Sequence, residues 1–341
     1  MIFNKIRTPF IVAEIGANHN GNLKTAKKMI ISAKKIGCHG VKLQSFDERL
    51  FSSVLYNESK FLDDGRDLKN DLRKTVNNYS LNNEEIKSLC HFAHKNKIKI
   101  SSSVFEIDHI EPLVEAKVDF IKIASGDINN IHLLRATAQT KLPMIVSTGM
   151  ASIYEISKAI DIIENEGNRN YMILHCVSLY PPPDHLINLK NIEMLRSTFQ
   201  VPVGFSDHTI GCEISFAAIA RGALLIEKHF TLDKNQEGWD HALSADVKEM
   251  EKLVKGAKKI FHALGKEKRI IGKEELKQRE VFRRSIVAKK NIPKGKILTL
   301  DDLSYKRPGS GIKPEDESLI IGLKAKKDIF QDDILSISDF K

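Results

Sequence analysis

Eight short apolar runs rich in β-branched residues recur through the first two thirds of this 341-residue chain. Segments with helical periodicity separate them; in LKTAKKMIISAKKIG the apolar residues fall on one face and lysines cover the other. This alternation predicts parallel strands joined by helical crossovers. The predicted strands are Phe10–Ala13, Gly40–Leu43, Ile98–Ser101, Asp119–Ile123, Pro143–Val146, Tyr171–His175, Pro202–Phe205 and Leu224–Glu227.

The number of strand–helix units predicts the α/β class and a (β/α)8, or TIM, barrel over residues 1–265. Such a barrel closes on itself and leaves no strand edge exposed. An open, doubly wound sheet is the alternative, and the presence of eight units argues against it.

Three segments depart from this alternation. Residues 51–80 are polar and rich in Asn and Asp, and we interpret them as an elaborated loop over the barrel mouth. Residues 266–284 are highly charged, which is typical of a linker helix. In residues 285–341, short apolar stretches alternate with Pro-Lys-Gly and Pro-Gly turns, which predicts a small β-rich domain.

Charge and hydropathy exclude some classes of function. The net charge is +9, but Lys and Arg are spread out and aromatic residues make up only 7%, which argues against nucleic-acid binding and favours small anionic substrates. No apolar run reaches the roughly 18 residues of a membrane-spanning helix, and the first residues lack the apolar core of a signal peptide. We therefore expect no membrane association and a cytoplasmic location.

The four cysteines are Cys38, Cys90, Cys176 and Cys212. They form no CxxC pair and lie in apolar or helical surroundings, which argues against a disulfide framework or a zinc ribbon. We predict that they are buried, reduced thiols.

Polar side chains follow the carboxyl end of every predicted strand, where a (β/α)8 barrel builds its active site. Strand ends are commonly polar, but this does not explain the lysines within the apolar segments VKLQ and FIKIASGD. Lys42 and Lys122 are therefore predicted to bind a phosphate or carboxylate, helped by the hydroxyls and amides of SSSVF, ASGD and VSTGM. The complete set is Glu14, Lys42, Ser103, Lys122, Ser125, Ser147, Ser178, His208 and His229.

Two of the twelve histidines stand out because they follow neighbouring barrel strands. A single histidine is usually structural, but His208 and His229 would lie side by side although 21 residues separate them. Two imidazoles at adjacent strand ends indicate a divalent metal site with open positions for water and substrate.

The motifs that carry these residues resemble those of the sialic acid synthase family, which includes the N-acetylneuraminate, legionaminate and pseudaminate synthases. In order, they are IVAEIGANHNG, VKLQSF, IKIASGD, IVSTGM, LHCVSLYP, VGFSDHTIG and IEKHFTLDK. The C-terminal SIVAKKNIPKGKILTLDDLSYKRPGSG is similar to the antifreeze-like (SAF) domain of that family. The resemblance implies a phosphoenolpyruvate-dependent transferase that joins this substrate to an N-acetylated amino sugar. The product would be a nine-carbon 2-keto sugar acid, formed with release of phosphate.

The resemblance also implies roles for individual residues. Phosphoenolpyruvate would be held by Lys42, Ser103, Lys122, Ser125, Ser147, Ser178 and Ser206. Mn2+ or Mg2+ would be bound by His208 and His229. Glu14, Gln44, Asp127, Tyr180 and Asp240 would face the sugar or the reacting centre. Glu14 and Asp240 are the candidates for the catalytic proton transfers that such a condensation requires. Arg307 would reach the sugar from the partner subunit of a homodimer that exchanges its C-terminal domains.

Three positions in two motifs depart from the commonest family pattern. Ser103 and Val104 stand where many members have Thr and Pro, and Trp239 replaces a proline directly before Asp240. We expect Trp239, the only tryptophan in the chain, to influence the choice of sugar or to pack within its loop.

Three alternative functions are compatible with parts of the pattern. Lys122 could form a Schiff base in a metal-free class I aldolase. The barrel could be a sugar-binding module without catalytic activity, although the paired histidines and lysines argue against this. A synthase of shorter 3-deoxy sugar acids is the third, and the SAF-like segment argues against it.

Overall fold

A computed structural model describes residues 8–52 and 72–341 of the chain. Eight parallel strands form a closed barrel in sequence order, which confirms the predicted architecture. The strands are β1 Phe10–Glu14, β2 Gly40–Ser45, β3 Lys99–Val104, β4 Phe120–Ile123, β5 Met144–Ser147, β6 Tyr171–Cys176, β7 Val203–Asp207 and β8 Leu225–His229. Each coincides with a predicted strand, and most extend further at the carboxyl end.

Helices follow the strands and cover the outside of the barrel. They are α1 Leu23–Ile36, α2 Leu72–Tyr79, α3 Asn83–Lys95, α4 Ile110–Glu115, α5 Ile131–Gln139, α6 Ile153–Asn165, α7 Asn191–Phe199, α8 Glu213–Ala220 and α9 Val247–Leu264. In α1, the Asn22 side chain accepts two backbone N–H groups at the start, and Gly37 ends the helix at a φ of 97°. The apolar stripe between these caps is buried against the barrel.

Helix α2 corrects part of the sequence interpretation. It lies within residues 51–80, which were interpreted as an elaborated loop over the barrel mouth, and residues 53–71 of that segment lie outside the described residues. Val76 and Tyr79, three positions apart, pack with Phe46 after β2. The prediction was wrong for α2 because the polar, Asn-rich composition concealed this short apolar spacing.

The interior of the barrel changes from apolar to charged along the strands. Inward positions near the amino ends hold residues such as Phe120 and Leu225, which form one apolar cluster. Two positions further along the same strands, the inward residues are Lys122 and Glu227, because side chains alternate between the two faces of a strand. The apolar layer therefore closes the bottom of the barrel and the charged groups lie at its mouth.

The chain divides into two compact units, Met1–Gly265 and Lys266–Lys341. The second unit contains helix α10, Lys273–Phe282, which buries none of its residues, as expected for a charged linker segment. Strands β9 Ser285–Ala288 and β10 Leu303–Lys306 then pair in antiparallel orientation over a separate small core.

All four cysteines are buried free thiols, as predicted. Across residues 8–52 and 72–341, no helix combines the length and the apolar character needed to cross a bilayer.

Candidate active site

A cluster of buried charged side chains occupies the barrel mouth. Lys122 Nζ donates a hydrogen bond to Glu227 Oε1 at 2.8 Å, and Lys42 Nζ lies 3.5 Å from the same oxygen. Lys42 also forms an ion pair with Glu14 and donates to Ser103 Oγ at 2.9 Å. Because a buried charge is costly unless it is paired, each ammonium group here needs its carboxylate.

Glu227 is the member of this cluster that sequence analysis did not assign to the site. Its Oε1 also accepts a hydrogen bond from Ser206 Oγ at 3.2 Å, while Oε2 has no hydrogen-bond partner among the described residues. The alternation of side chains along β8 would have indicated that Glu227 belongs to the site. Glu227 lies two residues before His229 on β8, so both side chains must face the interior.

The two carboxyl groups of the cluster differ in acidity. Burial raises the pKa of Glu14 to about 7; the charge of Lys42 opposes this shift and the charge of Glu227 adds to it. Burial also disfavours the charged form of Glu227, but Lys122 and Lys42 outweigh it and lower the pKa to about 2. Near neutral pH, Glu227 is therefore a fixed anion and Glu14 can gain or lose a proton.

The two lysines also differ. Burial lowers the pKa of Lys122, and the charge of Glu227 only partly offsets this effect. For Lys42, burial is outweighed by Glu14 and Glu227, and the pKa is raised. Lys42 is thus the more firmly charged ammonium group.

Gln44 lies beside Glu14. Its Nε2 donates to Glu14 Oε1 at 3.3 Å, and the backbone N–H of Gly16 donates to the same oxygen at 2.7 Å. Glu14 is therefore held in one orientation while its other oxygen faces Lys42.

Two of the predicted serine ligands meet at a glycine. The backbone N–H of Gly149 donates to Ser125 Oγ at 3.0 Å. A Cβ atom at Gly149 would lie 2.3 Å from Ser178 Oγ and 2.8 Å from Ser125 Oγ, so only glycine allows both hydroxyls this close. Ser147 is also buried, and its Oγ has no hydrogen-bond partner among the described residues.

His208 and His229 lie side by side, as their positions after β7 and on β8 predicted. Their ring centres are 5.5 Å apart, and both rings are buried. The Tyr180 ring lies 4.1 Å from His208 and 6.2 Å from His229, centre to centre. Asp240 Oδ2 is 3.5 Å from His229 Nδ1.

The donor atoms of this pair fit a divalent cation. His208 Nδ1 contacts the Val177 carbonyl oxygen at 3.0 Å; since a carbonyl only accepts, Nδ1 carries the proton and Nε2 keeps a lone pair in the neutral ring. Burial and the positive charges of His208 and Lys42 hold the pKa of His229 well below its usual range, so this imidazole is neutral. No group of three or more His, Cys, Asp or Glu side chains that could hold a metal ion occurs in the described part of the chain, so a metal site at this pair stays a prediction.

His208 differs from His229 in protonation. Burial disfavours its charged form, but hydrogen bonds with the Cys176 side chain and the Val177 carbonyl outweigh this, so its pKa is raised. A cation that binds to His208 must therefore displace a proton more often than at His229.

The remaining predicted sugar contacts are Asp127 and Arg307. Asp127 ends a 3-10 turn after β4, and burial raises its pKa to about 6, with Asn130 opposing and Glu106 adding to the shift. Arg307 belongs to the second unit, where its Nε donates to the Phe282 carbonyl at 3.0 Å and its guanidinium lies over the Phe282 ring. Its contact with a sugar in a partner's barrel stays a prediction.

Trp239 belongs to a group of rings that we call the rim aromatic cluster, which comprises Phe46, Tyr79, Phe105 and Trp239. Trp239 stacks on Phe46 with 6.1 Å between ring centres, and Tyr79 meets it edge-on at 5.3 Å. The indole thus packs against rings that follow β2 and end α2, while the next residue, Asp240, approaches His229.

Two family sequence models together match most of the chain. The sequence model of the NeuB family matches residues 29–269, and that of the SAF domain matches residues 283–341. The chain is 40% identical to an uncharacterized protein of Methanocaldococcus jannaschii, over 97% of this chain and 94% of that protein. It is 36% identical to the N,N'-diacetyllegionaminic acid synthase of Campylobacter jejuni, over 97% of this chain and 99% of the relative.

A solved structure shows the same likeness in three dimensions. The N-acetylneuraminic acid (sialic acid) synthetase of Leptospira borgpetersenii superposes with a TM-score of 0.71 at 34% sequence identity. The match covers 80% of this chain and 90% of that one.

Proposed function

This chain belongs to the NeuB family and carries a SAF domain, and on that basis we propose that it condenses phosphoenolpyruvate with an N-acetylated amino sugar. The product is a nine-carbon 2-keto sugar acid of the sialic acid type, and phosphate is released. Relatives that are legionaminic acid and sialic acid synthases support an enzyme of this kind.

The observation that carries the proposal is the pair of buried ammonium groups around Glu227. Phosphoenolpyruvate is a compact molecule with a carboxylate and a phosphate. Lys42 and Lys122 offer two fixed positive charges at the barrel mouth, both within 3.5 Å of one carboxylate oxygen. In a water-poor site such charges bind anions strongly and stabilise charge that develops during reaction.

Hydroxyl groups complete the proposed anion site. Ser103 and Ser206 contact the charged cluster, and Ser147 contributes a buried hydroxyl without a hydrogen-bond partner among the described residues. Ser125 and Ser178 present two more hydroxyls at Gly149. These groups donate hydrogen bonds without adding charge, which suits the several oxygens of a phosphate and a carboxylate.

The reaction requires proton transfers that Glu14 is suited to perform. C3 of phosphoenolpyruvate attacks the aldehyde carbon of the open-chain sugar, water adds at C2, and phosphate leaves as its bond to C2 breaks. The water loses both of its protons as its oxygen becomes the keto group at C2: one replaces the charge on the former aldehyde oxygen, and the other leaves with the phosphate. With a pKa of about 7, Glu14 can give or accept a proton at neutral pH, and Asp240 is the second candidate.

We propose that His208 and His229 hold Mn2+ or Mg2+. A cation bound there would supply Lewis-acid polarisation of the aldehyde carbonyl. Tyr180 beside His208 and Asp240 beside His229 are placed to orient the sugar around it.

The experiment that tests this function combines the protein with phosphoenolpyruvate, Mn2+ and a panel of amino sugars. The panel contains N-acetylmannosamine, its 6-deoxy-diacetamido analogue and an altrose-configured relative. Phosphate release and the mass of a nine-carbon 2-keto acid are measured, with Lys42→Ala/Lys122→Ala protein as the inactive control. Absence of a condensation product with every sugar would contradict the proposal.

A class I aldolase is the second candidate because burial lowers the pKa of Lys122, a property that Schiff-base lysines require. The hydrogen bond from Lys122 to Glu227 argues for the anion-binding role, since the carboxylate stabilises the charged form of the amine. Borohydride treatment with a ketone substrate distinguishes the two: covalent trapping on Lys122 would support the aldolase.

A further inference from the structure

Strands β7 and β8 form a ladder whose residue pairs alternate between the two faces of the barrel wall. The pairs in register are Phe205 with Ile226, Ser206 with Glu227, and Asp207 with Lys228. The first pair packs in the apolar layer under the helices, and the second lies in the charged cluster at the mouth. The third pair returns to the helix side, directly before the two histidines.

Asp207 and Lys228 form a fully buried ion pair on that side. Lys228 Nζ lies 2.9 Å from Asp207 Oδ2, and the two side chains are 2% and 0% exposed. Lys228 Nζ also donates to the carbonyl oxygen of Thr209 at 2.6 Å. Ser215 on α8 donates to Asp207 Oδ2, and the Thr209 amide and hydroxyl donate to Oδ1 at 2.9 and 2.7 Å.

This network connects the residues that flank the two histidines. Asp207 and Thr209 lie on either side of His208 in the sequence, and both bond to Lys228, which directly precedes His229. The network therefore fixes the end of β7 and the backbone of His208 relative to the end of β8. Because side chains alternate along a strand, the Asp207 and Lys228 side chains lie on the opposite face of the wall from the His229 imidazole.

Burying an ion pair in a layer that is otherwise apolar carries a large desolvation penalty. Desolvation of the two charges offsets most of their attraction, and apolar side chains of similar size often stabilise a fold equally well. The neighbouring outward pair, Phe205 and Ile226, shows that apolar residues fit this face of the ladder. Unlike an apolar pair, the ion pair makes directional hydrogen bonds, and these define how the ends of β7 and β8 lie relative to each other.

We propose that Asp207 and Lys228 are positioning residues that set the separation and orientation of His208 and His229 for a divalent cation. The inference rests on the proposed metal site. Groups that hydrogen-bond directly to metal ligands commonly change metal affinity about 10-fold to 100-fold when they are replaced, and Asp207 and Lys228 act one step further away, through the backbone of the ligands.

The test uses the full-length double variant Asp207→Leu/Lys228→Met, which removes both charges and retains apolar volume. We expect a melting temperature close to that of the unmodified protein and an affinity for Mn2+ that is lower by up to about 10-fold by calorimetry, since the effect is less direct than the loss of a group bonded to a ligand. The absorption spectrum of bound Co2+, which reports coordination geometry, is expected to change. Ser215→Ala, which removes one donor to Asp207, should weaken Mn2+ binding less and supplies the test if the double variant does not fold.

The control is Asp119→Asn at the amino end of the barrel, where Asp119 bonds Lys99 Nζ and the Ile100 amide, each at 2.9 Å. It should change stability without changing Mn2+ affinity. If the folded Asp207→Leu/Lys228→Met protein keeps the Mn2+ affinity and the Co2+ spectrum of the unmodified protein, the inference is overturned and the proposed function still stands. If the double variant does not fold, the same result with Ser215→Ala overturns the inference. Failure of the unmodified protein to bind Mn2+ would overturn both.

Discussion

The carboxylate of Glu227 accepts a hydrogen bond from the ammonium group of Lys122 at 2.8 Å, and both side chains are buried at the barrel mouth. The same carboxylate lies 3.5 Å from Lys42, so one anion holds two cations together. This arrangement keeps two positive charges in a confined space where they would otherwise repel each other.

Replacing Lys122 with alanine should weaken phosphoenolpyruvate binding by about 1.5–3 kcal/mol, or roughly 10-fold to 150-fold, because a charge-assisted contact is lost. Calorimetric titration measures the affinity. Lys99→Ala is the control, since Lys99 pairs with Asp119 at the opposite end of the barrel. In Lys122→Ala, the Glu227 carboxylate loses its hydrogen-bonded cation, and the double variant Lys122→Ala/Glu227→Gln removes that carboxylate charge as well. Unchanged phosphoenolpyruvate affinity in both variants would exclude Lys122 as a ligand.

Activity should depend on a divalent cation, because two histidines bind it weakly enough for a chelator to remove it. EDTA should abolish turnover and Mn2+ should restore it. Mn2+ affinity should fall as the pH decreases, since protons compete for His208, whose pKa is raised. His208→Ala should lose Mn2+ binding, while His39→Gln at the amino end of the barrel should retain it. Undiminished turnover of metal-free protein would rule out this requirement.

The raised pKa of Glu14 predicts a specific pH dependence of stability. A carboxyl group with a pKa of 4.5 in the unfolded chain and about 7 in the folded one stabilises the fold below pH 4.5. That stability is lost as the pH rises to about 7, by up to roughly 3 kcal/mol. Glu14→Gln does not titrate, so its free energy of unfolding relative to the unmodified protein should increase between pH 5 and pH 8. Urea unfolding at both pH values measures this, and an identical difference at both would refute the assignment.

Trp239→Pro should change the relative kcat/KM among candidate sugars. The indole stacks on Phe46 beside Asp240, so its loss opens apolar space where a sugar methyl or acetamido group could bind. Tyr79→Phe keeps the ring that meets Trp239 edge-on and serves as the control. Equal losses with every sugar would instead indicate that Trp239 only packs within its loop.

The working unit is predicted to be a homodimer that exchanges its SAF domains, with Arg307 completing the partner's site. About 57 residues bury too little core to be comfortably stable alone, which favours docking onto a larger surface. His208→Ala and Arg307→Ala proteins are each expected to be inactive. After they are mixed, partially unfolded and refolded, mixed dimers should contain one intact site and recover activity. No recovery, with dimers present by light scattering, would favour docking within one chain.

The strands could be predicted from sequence because each is a short apolar, β-branched run between turn residues, and the fold follows from their number. The barrel also explains why residues as distant as Glu14 and Glu227 meet at one mouth. Glu227 was not predicted to belong to the site, because the prediction considered only residues at or beyond the strand ends and Glu227 lies within its strand. Side chains two residues apart on a strand face the same side, so the position of His229 on β8 implies that Glu227 also faces the barrel interior.

Other features depend on information that the sequence pattern does not contain. The acidity of Glu14 results from burial and from charges on three other strands, so no local motif encodes it. The bonds of Lys228 to Asp207 and Thr209 require the register of β7 with β8, which is set when the barrel closes. Helix α2 was missed because its composition is that of a loop.

The glycine between Ser125 and Ser178 gives strand β5 an unusual part in the site. β4 and β6 are not neighbours in the sheet, since β5 lies between them. By leaving a gap above β5, Gly149 lets hydroxyls carried beyond those two strands meet at one point. Because Gly149 has no side chain, the Ser125 and Ser178 hydroxyls can approach each other across the end of β5. The methyl group of an alanine at position 149 would push these two hydroxyls apart and widen the barrel mouth on this side.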